Sequence, residues 1–186
     1  MNWKSQVQKI SELLNSLIIT DQNHKIISVD SGFDRLKELS LEVKTNNNTI
    51  YFIGNGASAS MASHCAADLV KNARIHTKVF SDLSLITAIS NDSGYENVFA
   101  EPLKVRGEEG DMVIAISSSG NSPNIIKAAE IAKAKKINFI TLTAMLPDNK
   151  VRQLGDLNIY IAAKTYGNAE SCHAAILHYW MDHIIE

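Results

Sequence analysis

Residues 49–58 read Thr-Ile-Tyr-Phe-Ile-Gly-Asn-Gly-Ala-Ser, an apolar run followed by two glycines on either side of an asparagine. The run predicts a short buried strand at 49–53, and the small residues after it predict a tight turn into a helix. Four further strands are predicted, at 78–80, 112–116, 137–142 and 157–161. Helices are predicted at 58–71 and at 122–136, where Ser-Pro opens the second one. This alternation favours an α/β fold, a doubly wound and mainly parallel five-stranded sheet sandwiched by helices.

The two ends of the chain extend beyond this alternating pattern. Residues 3–18 carry an apolar stripe typical of an amphipathic helix, and a second helix is predicted at 34–43. The segment 169–185 predicts a long and unusually apolar helix. Burial against another subunit and packing on its own sheet explain that helix equally well. Residues 19–31 show no clear periodicity, so no element is predicted there.

The sequence predicts one domain over residues 1–186, with no internal repeat and no linker. It consists of an N-terminal helical segment at 1–48, a sheet core at 49–162 and a C-terminal helix at 163–186. A chain of this length buries roughly 70% of its unfolded surface, so its folding requires neither disulfides nor a metal ion.

Composition excludes several classes of function. The 18 lysines and arginines against 20 aspartates and glutamates give a net charge of −2, so no basic surface for nucleic acid is expected. No apolar run approaches the ~20 residues that span a membrane, and the amphipathic N-terminus lacks the features of a signal peptide. Cys65 and Cys172 have neither metal-type nor disulfide-type spacing. We therefore expect a cytoplasmic protein that binds neither nucleic acid nor membrane.

Two short segments are candidates for binding an anion. The first opens the helix after the strand at 49–53 and consists of Asn55, Gly56, Ala57 and Ser58. The second follows the strand at 112–116 and contains four hydroxyls, those of Ser117, Ser118, Ser119 and Ser122. Backbone N–H groups at a helix N-terminus and serine hydroxyls bind phosphate oxygens without a cationic side chain. Tight turns and helix caps also use such residues, but four serines within six positions exceed what a cap requires, so a phosphate site is favoured.

Together these segments, Gly54 to Ser58 and Ile116 to Ser122, resemble the sugar isomerase (SIS) domain family. Between them, Asn91 and Asp92 resemble an Asn-Asp turn that contacts the substrate in this family. The resemblance is strong over residues 50–143 and is closest to the members that isomerise sedoheptulose 7-phosphate. It implies the SIS fold, a phosphorylated sugar as substrate, and a homotetramer whose active sites lie between subunits.

Four titratable residues are candidates for catalysis and metal binding. His64 and Asp68 are four apart on one predicted helix, and Glu170 and His178 are two turns apart on another. Each residue alone also fits a structural role, but two imidazoles and two carboxylates form a set that binds zinc. The resemblance implies that both histidines are metal-linked and that His178 is also a catalytic acid or base. One zinc ion per subunit is therefore expected, with His64, Asp68, Glu170 and His178 as its ligands.

The chain departs from the family at both carboxylates. The family usually has Glu at the position of Asp68, where it is the proposed base, and Gln at the position of Glu170. Proton abstraction requires a reach of roughly 2.6–3.2 Å, so a side chain shorter by one methylene loses contact with its proton. Either Glu170 has become the base, or both carboxylates hold the metal, or the substrate differs somewhat. Both residues are also expected to contact the substrate.

The activity implied by the resemblance is aldose–ketose isomerisation. Sedoheptulose 7-phosphate, or a related sugar phosphate, would be converted to D-glycero-D-manno-heptose 7-phosphate through an enediolate, in the assembly of lipopolysaccharide or capsule. Asp68 or Glu170 would take the proton, and His178 would serve the oxygen or return the proton. The alternative is a non-catalytic SIS protein that senses a sugar phosphate or associates with a replication initiator. Two histidines and two carboxylates favour the enzyme.

Overall fold

The computed structural model describes residues 2–186 and contains one seven-stranded sheet. Its strands are β1 (Ile18–Asp21), β2 (Ile26–Ile27), β3 (Thr49–Gly54), β4 (His76–Val79), β5 (Met112–Ser117), β6 (Asn138–Thr143) and β7 (Leu157–Tyr160). Their order across the sheet is β2-β1-β7-β6-β5-β3-β4. The strands from β3 to β7 pair in parallel, and β1 pairs antiparallel with both β2 and β7.

Within residues 2–186, seven α-helices surround the sheet. They are α1 (Trp3–Asn15), α2 (Val29–Thr45), α3 (Ala57–Asp68), α4 (Leu83–Ser93), α5 (Ala100–Arg106), α6 (Pro123–Ala134) and α7 (Tyr166–Ile185). A π-helical turn at Leu69–Ala73 continues α3, and short 3-10 helices lie at Tyr95–Asn97 and Val151–Gln153.

The predicted fold class is confirmed, but the sheet has seven strands where five were expected. All five predicted strands are present, each within two residues of its expected ends. The two additional strands, β1 and β2, form a hairpin. Except for Ile18, it lies within residues 19–31, for which no element was predicted. The segment 1–48 is therefore not purely helical. With four and two residues, β1 and β2 are too short to show an alternating pattern.

The topology determines where a ligand can bind. Along the parallel part of the sheet the order is β4-β3-β5-β6-β7, so the chain moves outward in opposite directions from the β3–β5 pair. In doubly wound sheets, ligands bind beyond the carboxyl ends of the strands at this reversal. The two candidate anion segments directly follow β3 and β5. The fold therefore brings them to the same crevice.

Two apolar layers hold the helices on the sheet. Ile50 and Phe52 of β3 face α2, α3 and α7, whereas Tyr51 and Ile53 face α5 and α6, as strand alternation requires. Every residue of β5 is buried, because this central strand is covered on both faces. No described helix is long and apolar enough to cross a membrane.

The apolar C-terminal helix packs on its own sheet. Trp180 of α7 is fully buried, contacts the ring of Phe52 and donates a hydrogen bond from its indole nitrogen to Ser40 Oγ at 3.2 Å. The N-terminal helix is different, because α1 has no buried residue and leaves Trp3 and Val7 exposed. The C-terminal helix also leaves Tyr166, Tyr179 and Ile185 exposed, so both terminal helices present some apolar surface to solvent.

Candidate active site

The turn between β3 and α3 forms one wall of the site. Gly56 is the N-cap of α3 with φ +56°, a backbone conformation that side-chain-bearing residues rarely adopt. A Cβ on Gly54 would lie 2.8 Å from the Cβ of Ser58, so this position also requires glycine. The two glycines therefore allow β3 to turn sharply into α3, and Ser58 is buried at the start of that helix.

A cavity of about 130 Å³ lies between this turn, the loop after β5 and the start of α7. Its lining residues are Asn55, Ser58, Ile116, Ser117, Ser118, Ser119, Ser122, Tyr166 and Glu170. We call it the serine cavity. All four serines of the predicted phosphate segment contribute to it, together with one carboxylate.

Several hydroxyls of the serine cavity are available to a ligand. Ser122 is the N-cap of α6, but its side chain makes no capping hydrogen bond. Its Oγ is 3.5 Å from Ser117 Oγ, at the outer limit of a hydrogen bond. The buried Ser118 hydroxyl has no hydrogen-bond partner within residues 2–186. These groups and the N-terminus of α6 form a donor-rich pocket that suits phosphate oxygens.

Three of the four expected metal ligands come together on α3 and α7. His64 Nε2 is 3.4 Å from Asp68 Oδ2, and the rings of His64 and His178 have centroids 5.2 Å apart. One ligand atom from each of these three residues lies within 4.8 Å of the others. Two imidazoles and one carboxylate are the donor set of many catalytic zinc sites, which keep a fourth position open. We call this group the His–Asp–His cluster.

Glu170 does not belong to the His–Asp–His cluster and instead lines the serine cavity. Among the described residues, three of the four expected ligands therefore have ligand atoms within 4.8 Å of one another. Glu170 is eight positions before His178, a rise of about 12 Å along α7. Within residues 2–186 the Glu170 carboxylate makes no hydrogen bond or ion pair.

Other predicted substrate contacts lie outside the serine cavity. Asn91 and Asp92 occupy the last turn of α4 and not a loop, and Asn91 Nδ2 donates to Asp92 Oδ1 at 2.8 Å. Asp82 caps the start of α4 by accepting from Leu85 N, and the helix continues to Ser93, past the expected turn. Gly56 lines a neighbouring cavity, and Ala57 lines neither.

That neighbouring cavity has a volume of about 320 Å³ and is mainly apolar. Phe52, Phe80, Ile86 and Phe99 contribute to its walls. Asn55 lines both this apolar cavity and the serine cavity.

Sequence reasoning missed Tyr166, which lines the serine cavity at the first position of α7. It is four residues before Glu170 and therefore shares its helix face, which is the spacing that could have revealed it. The predicted helix began at 169 and so excluded this tyrosine.

The two cysteines are buried free thiols. Burial raises the pKa of Cys65 to about 11, and the Asp68 carboxylate adds to this increase. Burial also raises the pKa of Cys172. Both shifts disfavour the thiolate that nucleophilic catalysis requires.

Comparison with known proteins identifies the family and the fold of the chain. The SIS domain family matches residues 19–144. The chain belongs to the SIS domain family. Among SIS proteins, it is 34% identical to the phosphoheptose isomerase of Aneurinibacillus thermoaerophilus, over 94% of this chain and 88% of that protein.

Solved SIS structures have the same architecture. A phosphoheptose isomerase from Neisseria gonorrhoeae is 29% identical and superposes with a TM-score of 0.78, covering 83% of this chain and 86% of that one. One from Francisella tularensis has a TM-score of 0.83 at 22% identity, covering 98% and 93% of the two chains. At that lower identity the similarity concerns the fold alone.

Proposed function

We propose that this SIS domain, residues 1–186, is an isomerase that converts sedoheptulose 7-phosphate to D-glycero-D-manno-heptose 7-phosphate. The observation that carries the proposal is that α7 brings Glu170 to the serine cavity and, further along the same helix, His178 to His64 and Asp68. The similarity to phosphoheptose isomerases over most of both chains supports the same substrate.

The phosphate would occupy the serine cavity, where hydroxyls and the α6 N-terminus supply donors. The sugar would extend from this cavity along α7, so that C1 and C2 lie between the side chains of Glu170 and His178. The rise of about 12 Å between these two positions is short enough for both side chains to reach the same pair of carbon atoms. Asn55, Ser58 and Tyr166 line the same cavity and would contact the sugar.

We assign the proton transfer between carbons to Glu170. Its half-buried carboxylate faces the cavity without a competing partner, whereas Asp68 is paired with His64. Glu170 would remove a proton from C1 of the ketose, exchange it with solvent and deliver a proton to C2 of the enediolate. In the same conversion O1 loses its proton and O2 gains one, so atoms and charge balance.

His64, Asp68 and His178 would hold a zinc ion, for which their donor chemistry is suited. A bound zinc ion supplies positive charge that stabilises the oxygens of the enediolate. His178 then has alternative roles: with the ion it is a ligand, and without the ion its exposed imidazole carries the proton between O1 and O2.

The arrangement of ionisable groups favours an enzyme over a non-catalytic sugar-phosphate sensor or initiator-associating protein. Binding alone requires only the serine cavity, whereas this chain also carries an unpaired carboxylate and a three-residue metal group. We further propose a cytoplasmic homotetramer with active sites between subunits, acting in surface glycan assembly. The exposed Trp3 and Val7 of α1 supply apolar surface for such contacts.

The test is NMR of the purified protein with sedoheptulose 7-phosphate in heavy water, with added zinc and with chelator. Aldose phosphate signals and deuterium at C2 are the expected result. Loss of turnover with chelator would identify the metal as essential, whereas turnover in chelator would assign oxygen proton transfer to His178 alone. Binding without turnover in either condition would contradict the proposed reaction.

A further inference from the structure

Asn55 and Asn124 form a reciprocal pair between the two walls of the site. Asn55 Nδ2 donates to Asn124 Oδ1 at 3.0 Å, and Asn124 Nδ2 donates to Asn55 Oδ1 at 2.8 Å. Asn55 belongs to the turn after β3, and Asn124 is the second residue of α6, directly after the serine segment. The pair therefore joins the glycine turn to the helix whose N-terminus faces the proposed phosphate.

A third group completes the hydrogen bonding of the Asn55 oxygen. Tyr95, in the 3-10 helix after α4, donates its hydroxyl to Asn55 Oδ1 at 2.9 Å. A carboxamide oxygen has two lone pairs, and both are then used by Asn124 and Tyr95. One N–H of Asn55 is used as well. What remains for a ligand is a single N–H donor.

Asn55 lines the serine cavity and Asn124 does not, so the two asparagines have different roles. Asn124 is only 2% exposed and does not line the serine cavity. Asn55 is partly exposed and lines that cavity. A buried amide must be hydrogen-bonded, and here its partner is a residue that faces the ligand. Asn124 can therefore affect the site only through Asn55 or through the stability of the fold.

We propose that Asn124 and Tyr95 are positioning residues that orient the Asn55 amide, so that it presents one N–H and no oxygen to the bound sugar phosphate. This inference rests on the proposed function for its substrate. An N–H held in this orientation suits phosphate, hydroxyl and carbonyl oxygens, all of which accept hydrogen bonds. A rotated amide would present its oxygen, which repels phosphate and carbonyl oxygens.

A double-mutant cycle on kcat/KM tests whether Asn124 acts on the substrate through Asn55. Asn124→Ala is expected to lower kcat/KM about tenfold, the loss associated with one good hydrogen bond. In an Asn55→Ala background, Asn124→Ala should have no further effect, since the group that it orients is gone. Full additivity of the two losses would overturn the proposal.

Asn158→Ala is the matched control for stability. Asn158 is also a buried asparagine with side-chain hydrogen bonds, to Thr141 and Gly155, but it lies on β7 away from the serine cavity. It is expected to lower the melting temperature as Asn124→Ala does, with kcat/KM unchanged. An equal loss of kcat/KM in both variants would show that Asn124 acts through stability.

NMR of the Asn55 side-chain amide tests the orientation without catalysis. Its two proton signals are identified by their disappearance in Asn55→Ala. Both Asn124→Ala and Tyr95→Phe are expected to shift these signals and to accelerate their exchange with solvent. Unchanged signals in Asn124→Ala would overturn the proposal even if the wild-type protein proves inactive, whereas absent turnover with the expected shifts would contradict only the proposed function.

Discussion

The imidazole rings of His64 and His178 lie 5.2 Å apart, although one belongs to α3 and the other to α7. Both side chains are exposed, and Asp68 is 3.4 Å from His64 at the end of α3. A metal ion held by these three residues would cross-link two helices that pack on the same face of the sheet. Metal binding should therefore be coupled to the stability of the folded chain.

Zinc should raise the melting temperature. A ligand that binds the folded chain and not the unfolded chain stabilises the folded state by about 2.7 kcal/mol when its free concentration is 100 times the dissociation constant. His64→Ala should abolish this increase, because it removes one of three ligands. The measurement is thermal unfolding across a zinc titration.

His183→Gln is the control for the metal prediction. His183 lies on the same helix and contacts Asp34 at 3.2 Å, away from the His–Asp–His cluster. In His183→Gln, zinc should raise the melting temperature as much as it does in the wild type. If zinc still raises the melting temperature of His64→Ala, the assigned ligands are contradicted.

The two carboxylates should respond differently to loss of charge. Glu170→Gln is expected to lower kcat by about 10²-fold or more, the usual contribution of a general base, with zinc affinity retained. Asp68→Asn is expected to weaken zinc binding and to recover activity when zinc is in excess. Steady-state kinetics across a zinc series measures both effects.

The opposite pattern would identify Asp68 as the base. In that case Asp68→Asn would remain inactive at saturating zinc, and Glu170→Gln would keep a kcat close to that of the wild type. Since both substitutions preserve side-chain size, neither result can be attributed to a cavity.

Ser122→Ala should weaken phosphate binding without loss of stability. An N-cap serine normally contributes about 1 kcal/mol, but this hydroxyl makes no capping hydrogen bond, so its removal should change the free energy of unfolding by less than about 0.5 kcal/mol. The affinity for inorganic phosphate should fall about tenfold, as expected for one hydrogen bond to a charged group. Calorimetry and urea unfolding give the two values.

Ser171→Ala provides the comparison for Ser122. Its hydroxyl is bonded to the Gly167 carbonyl on the exposed side of α7, outside the serine cavity. Phosphate affinity should be unchanged in this variant. If Ser122→Ala binds phosphate as tightly as Ser171→Ala does, the phosphate does not occupy the serine cavity.

His173 should make the protein less stable in mild acid. It is fully buried on α7, and burial lowers its pKa from 6.5 to about 4, with the Thr143 backbone opposing this change in part. As the pH falls from 6.5 towards 4, the unfolded chain binds a proton that the folded chain does not. The free energy of unfolding should therefore fall by about 3 kcal/mol across this window.

Urea unfolding at pH 7.5 and pH 4.5 measures this dependence. His173→Phe should lose the part of the pH dependence that belongs to this residue, whatever its stability at pH 7.5. His76→Gln, an exposed residue of β4, should keep the wild-type dependence. Equal pH dependence in the His173→Phe variant and the wild type would contradict the assignment.

Local patterns were sufficient to predict much of the fold. The strand at 49–53 and the glycine turn after it were predicted from neighbouring residues, because burial on both faces and positive φ leave local marks in the sequence. The hairpin β1–β2 was not predicted, since its strands are short and are stabilised by pairing with β7. The helix α4 was missed for a related reason: it has no buried residue and therefore only a weak apolar periodicity.

The candidate site was also only partly predictable from the sequence. The four serines form one segment, so their common location follows from the sequence. Three other relationships do not follow from the sequence. They are the meeting of His64 with His178, the separation of Glu170 from both, and the pairing of Asn55 with Asn124.

The sequence by itself determined which residue types are present and in what local geometry: a strand, a tight glycine turn, a serine-rich helix start, and acid and base groups on two helices. Only the tertiary structure decided which of these groups touch. The physical reason is that backbone dihedrals and apolar periodicity act over a few residues, whereas the distance between side chains on α3, α6 and α7 is set by how those helices pack against the sheet.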